Sequence, residues 1–148
     1  MKFQKITPYL WFDSQARQAA EFYCSVFDHS KIHSDGGIIV EFELDGTHFI
    51  ALNGGPQYKF NEAVSFFVLC EDQEETDRLW NQLTADGGSE GRCGWCKDKF
   101  GVSWQIVPKR FTEMMKTGTP DQTQRIFEAM MQMNKMILET FEKAFKGD

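Results

Sequence analysis

Cys93 and Cys96 stand with two residues between them, the spacing of a redox dithiol or of half a structural zinc site, and Arg92 and Lys97 beside them are cations that favour a thiolate. A redox pair normally opens a helix whose N-terminus lowers the thiol pKa. Here the pair reads as part of a loop entering a strand, and zinc would need two further ligands, so the spacing is taken as coincidence. The three histidines, His29, His33 and His48, fall near a loop or beside a hairpin turn and read as solvated surface residues. No serine or cysteine nucleophile has a histidine in a comparable position, which leaves the hydrolase arrangements without support. Paired carboxylates for acid-base work reduce to Glu41 or Glu43 on an open register. The acidic run Glu71-Asp72-Gln73-Glu74-Glu75 is explained by the first turn of a helix, where the macrodipole favours negative charge.

What remains is a set of aromatic and small polar side chains on strands. Alternation puts Thr7, Tyr9 and Trp11 on one face of one strand and Ser103, Gln105 and Val107 on one face of another. If those faces are concave, they line a polar and aromatic pocket suited to a small organic ligand held by stacking and a few hydrogen bonds. The competing reading takes Tyr9, Trp11 and Trp104 as core or interface filler.

The elements that must position these residues follow from hydrophobic period and punctuation. Ile6 to Phe12 is an apolar run ended by the capping pair Asp13-Ser14. Ala16, Ala19, Ala20, Tyr23, Val26 and Phe27 then recur at helical spacing. Ile38 to Leu44 and Thr47 to Leu52 flank Asp45-Gly46, the pair that supplies positive backbone angles to a two-residue hairpin turn. Asn53-Gly54-Gly55-Pro56 ends that strand. The order then repeats. Ala63 to Cys70 is an apolar run, Glu71-Asp72 caps it, Leu79, Trp80 and Leu83 mark a second helix from Glu74 to Ala85, and Gly87-Gly88 stops it. A glycine-rich stretch to Gly94 leads to a strand at Trp95-Cys96, a turn at Asp98 to Gly101 and a strand from Val102 to Val107 closed by Pro108. Aligning Asp13 with Asp72 superposes strand, cap, helix and hairpin, so the chain reads as a duplicated strand-helix-strand-strand-strand unit. From Phe111 onward the pattern is one amphipathic helical tail. It starts at Thr119-Pro120-Asp121, carries Ile126, Phe127, Met130, Met133, Ile137, Phe141 and Phe145, and must pack on its own sheet, the favoured reading, or on a second copy of the chain.

Totals set the class. The chain has 148 residues, enough for a single domain with a real core, and 41% hydrophobic and 14% aromatic content excludes a disordered or low-complexity polymer. A net charge of −6 disfavours phosphate backbones and anionic lipid, so neither nucleic acid nor membrane is expected as a partner. The N-terminal residues lack the apolar run of a signal peptide and no stretch is long and apolar enough to span a bilayer, which gives a cytoplasmic expectation. Cys24, Cys70, Cys93 and Cys96 are expected to be reduced thiols.

Ile6-Thr7-Pro8-Tyr9-Leu10-Trp11-Phe12-Asp13, Phe22-Tyr23, Ala51-Leu52-Asn53-Gly54-Gly55-Pro56 and the run from Asp98 to Pro108 together resemble the PhnB-like family of the glyoxalase and bleomycin-resistance, or vicinal-oxygen-chelate, superfamily. The resemblance spans nearly the whole chain. It implies an α+β fold in which two βαβββ modules, about 1–60 and 61–110, form a curved mixed eight-stranded sheet with helices on the convex side, followed by the helical tail at about 111–148. It implies a homodimer as well, although the segment from Lys31 to Ile38 is shorter than the family's. Members either bind a divalent metal and run lyase, isomerase or dioxygenase chemistry or simply bind a ligand. Matching the motifs puts the four metal-ligand positions at Thr7, Ala51 or Asn53, Ser65 and Gln105, of which only Gln105 is a plausible ligand. The expectation is therefore a metal-free, cofactor-free small-molecule binding protein with a pocket of Thr7, Tyr9, Trp11, Asn53, Ser65, Phe67, Ser103 and Gln105. Two alternatives stand beside it. One is a metal enzyme with an atypical site using Gln105 with Glu41 or Glu43 and His48, and the other a scaffold acting through its tail. The family's ubiquinone methyltransferase label finds no glycine-rich strand-to-helix turn to hold a methyl donor.

Overall fold

The computed structural model describes residues 4–148 and divides into two compact units, Met1–Phe60 and Asn61–Asp148. The first unit runs β1 (Tyr9–Phe12), α1 (Ala16–Val26), β2 (Lys31–Asp35), β3 (Ile39–Leu44) and β4 (Thr47–Asn53), with its sheet in the order β1-β4-β3-β2. The second runs β5 (Ser65–Cys70), α2 (Gln73–Thr84), β6 (Ser89–Glu90), β7 (Trp95–Lys97) and β8 (Ser103–Pro108), in the order β5-β8-β7-β6. Each sheet joins its first and last strands in parallel and the rest antiparallel. The two orders are the same, so the repeat seen in the sequence is a repeat of topology. The glycine-rich stretch before β7 includes the two-residue strand β6, which its composition did not suggest.

The helices begin differently from each other. Asp72 caps α2 as expected, its carboxylate accepting the Glu75 N–H at 2.9 Å. Asp13 and Ser14 do not cap α1. The N-cap is Gln15 and makes no side-chain cap bond, while Asn53 Oδ1 at the end of β4 accepts the Ala16 N–H at 2.8 Å. A residue distant in sequence thus does the work that the local pair promised. Along α1 the buried positions are Ala16, Ala19, Ala20, Tyr23 and Val26, and three alanines let the helix backbone come close to the sheet. The Asp45-Gly46 turn has φ of 47° and 84°, the two positive angles of a type I′ hairpin, and it sets the register Leu44↔Thr47 and Glu43↔His48.

The tail is three helices instead of one, and it starts directly after β8: α3 (Lys109–Thr117), α4 (Pro120–Met130) and α5 (Leu138–Lys146). Thr119 and Gln122 form a capping box at α4 with Pro120 at its first position. The break at 131–137 has a tertiary cause. Its carbonyls are taken by groups outside the helix: Cys93 N–H donates to Met133 O at 2.9 Å, Gly94 N–H to Asn134 O at 2.8 Å and Gln73 Nε2 to Met136 O at 3.0 Å. The apolar stripe turns inward, where Val107, Met114, Ile126, Met133, Met136 and Phe141 form one buried cluster. Phe141→Ala is expected to lower stability by about 3–5 kcal/mol through loss of contacts and an unfilled cavity, as measured by urea unfolding. The exposed Phe127 should cost under about 1 kcal/mol on the same truncation.

Candidate functional site

In the second unit, register and alternation bring the small polar residues named from the sequence onto one sheet face. Ser65 pairs with Ser103 and Phe67 with Gln105 across β5 and β8, while Lys97 pairs with Ser103 and Trp95 with Gln105 across β7 and β8. Gln105 Nε2 donates to Ser65 Oγ at 2.9 Å. Ser103 is 1% exposed, and its Oγ is the buried side-chain polar atom that lacks a hydrogen-bond partner among the described residues. It lines a cleft of about 240 Å³ together with Trp95, Lys97, Ser89, Glu62 and Glu90.

Two charges shape this cleft. Lys97 pairs with Glu62, and its hydrogen bond to the carboxylate is the main reason that the Glu62 pKa lies below its ordinary value. Glu90 Oε1 accepts the Trp80 indole N–H at 2.7 Å and so is held by α2. The turn that delivers β8 is fixed by Asp98. This buried carboxylate accepts N–H groups from Phe100 at 2.8 Å, Val102 at 3.1 Å and the Trp104 indole at 2.9 Å. Trp104 is therefore core, as the filler reading had it. Trp95, Lys97 and Glu62 were not among the expected pocket residues, because the register of the three-residue β7 follows from this turn and not from any local pattern.

In the first unit Tyr9 and Trp11 share a face with Ile50 and Leu52 by the β1–β4 register. Tyr9 is exposed. Trp11 is spent on its own loop, its indole donating to Gly55 O at 2.9 Å and its ring meeting Tyr58 edge-on at 5.0 Å. Gly54 lies so close beneath the ring that a Cβ there would fall 2.4 Å from it. Asn53 is likewise committed, accepting from Ala16 and donating to Gly37 O at 2.9 Å, and Thr7 Oγ1 donates to Gln4 O at 3.2 Å.

The same sheet carries a cluster of which the sequence reading grouped only His48 with Glu41 or Glu43, in the metal-enzyme alternative, and left His33 out. His33 and His48 stack with ring centroids 5.4 Å apart. His33 Nε2 lies 3.0 Å from Glu43 Oε1, and His48 Nε2 lies 3.8 Å from Glu41 Oε1. Their side chains are only 15% and 13% exposed, so these two are not solvated surface histidines; His29 is exposed, as expected. A β-bulge at His33 turns its ring onto the cluster.

The chain matches the family model described as 3-demethylubiquinone-9 3-methyltransferase over residues 4–107. It belongs to that PhnB-like family. Among solved structures it is similar to a Bacillus cereus PhnB protein described as a putative 3-demethylubiquinone-9 3-methyltransferase. The identity is 32%, with 71% of this chain and 99% of that one covered and a TM-score of 0.66. A Pseudomonas aeruginosa protein at 21% identity (69% and 95% covered, TM-score 0.55) shares the fold. So does a glyoxalase/bleomycin resistance protein from Albidiferax ferrireducens at 12% identity (68% and 95% covered, TM-score 0.50). No curated protein matches the chain.

The four ligand positions that the sequence resemblance implied do not fit a metal here. Thr7, Asn53, Ser65 and Gln105 offer neutral groups already bonded within the protein, and Ala51 is a fully buried methyl group. Among the described residues no group of three or more His, Cys, Asp or Glu side chains is placed to hold a metal ion. The label's methyl donor finds no glycine-rich turn of the usual kind either. The strand-to-helix turns of this PhnB-like chain contain no glycine, and their helix N-termini are taken by Asn53 and Asp72.

The paired cysteines separate in character. Burial pushes the Cys96 thiol up to about 12, with the Asp98 and Glu90 charges adding, and pushes Cys70 up to about 11. A redox dithiol needs the opposite shift. Cys93 is half-buried, its Sγ 3.8 Å from Met131 Sδ. In native protein at pH 8, iodoacetamide should label Cys93 well before Cys70 and Cys96, as read by peptide mass spectrometry; equal rates would contradict the burial. Both buried thiols keep their protons more tightly folded than unfolded. Their contribution to stability is therefore complete below the ordinary value of 9.0 and is lost as pH rises through about 11 to 12.

Proposed function

We propose that the protein is a metal-free small-molecule binding protein of the PhnB-like type, cytoplasmic and homodimeric, whose pocket is the cleft at Ser103 in the second unit. The observation that carries this reading is the unpaired Ser103 hydroxyl. A buried polar atom without a partner costs about 1–3 kcal/mol, and a ligand that bonds to it removes that cost on binding. Ser65, Phe67 and Gln105 extend the same face toward the edge strand β5, whose Phe67 and Leu69 are each 54% exposed and suit burial by a second copy. Tyr9 on the first unit's edge strand β1 is the remaining sequence-named aromatic left available to a ligand. The scaffold alternative is less favoured, because the tail spends its apolar stripe on its own cluster. For the metal-enzyme alternative, no group of three or more His, Cys, Asp or Glu side chains is placed to hold an ion among the described residues.

Ser103→Ala separates binding from folding. It should leave the unliganded protein as stable as the parent or more stable, by about 1 kcal/mol, while weakening several-fold any compound that binds the cleft and so reducing its thermal shift. A variant that is destabilised yet keeps every ligand-induced shift would show the hydroxyl to be structural and sink the reading. Light scattering should return a dimer mass.

A further inference from the structure

The chemistry of the cleft narrows its ligand, an inference that rests on reading the cleft as the binding site. We propose that the ligand is a small planar carboxylate, its ring lying on Trp95 and its carboxylate bound by Lys97 and Ser103. The volume of about 240 Å³ lies just below the usual range of ligand pockets, room for one ring and its substituents. Trp95 lines the cleft, an indole of the kind that stacks on planar rings. Across the strand pair Lys97 stands opposite Ser103, so the stem of a lysine and an unpaired hydroxyl line the same cleft from adjacent strands.

The two carboxylates at the cleft do not argue for a cation. Glu90 is occupied by the Trp80 indole at 2.7 Å. Glu62 precedes β5, is 61% exposed in its side chain and reaches Lys97 from the rim. An exposed ion pair contributes little to stability, so a carboxylate seated inside the cleft can take over the ammonium and release Glu62 to water. In the shielded position it also accepts the Ser103 O–H, a charge-assisted bond stronger than any neutral acceptor would make. A cationic ligand would meet Lys97 head-on, and a neutral one would leave the Glu62 pair in place.

Titration with benzoate, benzamide and benzylamine, followed by amide and indole NMR shifts, tests the charge at constant ring size. Benzoate should bind at least tenfold more tightly than benzamide and perturb the Trp95 indole, and benzylamine should not bind. Lys97→Gln should reduce benzoate to the benzamide level without changing benzamide, Ser103→Ala should weaken benzoate several-fold, and Trp95→Leu should weaken both compounds alike. Lys97 is a partly exposed side chain, so its variant keeps the test open if a Trp95 or Ser103 variant folds poorly. Benzamide or benzylamine binding at the Trp95 indole as tightly as benzoate would overturn the carboxylate assignment while leaving the cleft as the site. If none of the three binds, and no compound in a thermal-shift screen has its effect reduced in Ser103→Ala, both the assignment and the binding reading fail.

Discussion

The second unit depends on the buried carboxylate of Asp98. A charge taken out of water is tolerated when donors surround it, and Asp98 has the N–H groups of Phe100, Val102 and Trp104 within 3.1 Å. Those three bonds close the turn, seat the Trp104 indole in the core and fix where β8 begins. β8 in turn is the central strand to which both β5 and β7 are paired, so the positions of Ser65, Trp95, Lys97 and Ser103 all trace back to that turn. The carboxylate therefore acts on the cleft without lining it.

The two units show how one topology can be put to different uses. In each, a strand, a helix and a return place the first and last strands in parallel contact, an arrangement that needs a crossover and cannot be made by a hairpin. In the first unit the last strand ends at Asn53, opposite Phe12, and the amide is spent holding the start of α1 and the backbone of Gly37. At the matching place in the second unit, opposite Cys70, stands Pro108, which has no N–H to give and leads straight into α3. There α2 carries its own cap, Asp72, and the strand end is free to launch the tail. The pocket residues named from the sequence divide along this line: Asn53 and Trp11 serve the first unit's own structure, whereas Ser103 keeps a hydroxyl unbonded.

Legibility followed the range of the interactions. The Asp45-Gly46 turn was readable because a two-residue loop with positive φ at both positions is a local matter, and it already implied Glu43 opposite His48. Followed one step further, that register would have placed His48 beside carboxylates and not in solvent. His33 could not be found so, since its ring arrives by a bulge that no local pattern announces. Asp13 and Ser14 looked like caps on propensity, and a tertiary hydrogen bond from Asn53 overrode them. The tail's apolar period ran on through 131–137, but the amides of Cys93 and Gly94 claim carbonyls there and end the helix. Ser65, Ser103 and Gln105 were visible as one face by alternation. That Ser103 is the unbonded member depends on three-dimensional neighbours.

Two features of the second unit run against the stability of an isolated chain, and both lie toward one face of its sheet. An alanine or valine at position 103 would have left no orphan hydroxyl, and polar residues in place of Phe67 and Leu69 would have protected the edge strand β5 from association. Folding alone rewards neither choice. On the proposed reading each penalty would disappear on a different binding event, a ligand's oxygen meeting Ser103 Oγ or a second apolar surface covering β5. The edge strand is joined to the cleft through Ser65 and the Gln105 amide, 2.9 Å apart, so association at β5 and occupancy at Ser103 press on the same pair of strands. A chain under selection for folding alone gains from relieving both penalties internally, which is why the proposed binding function is read from these two features.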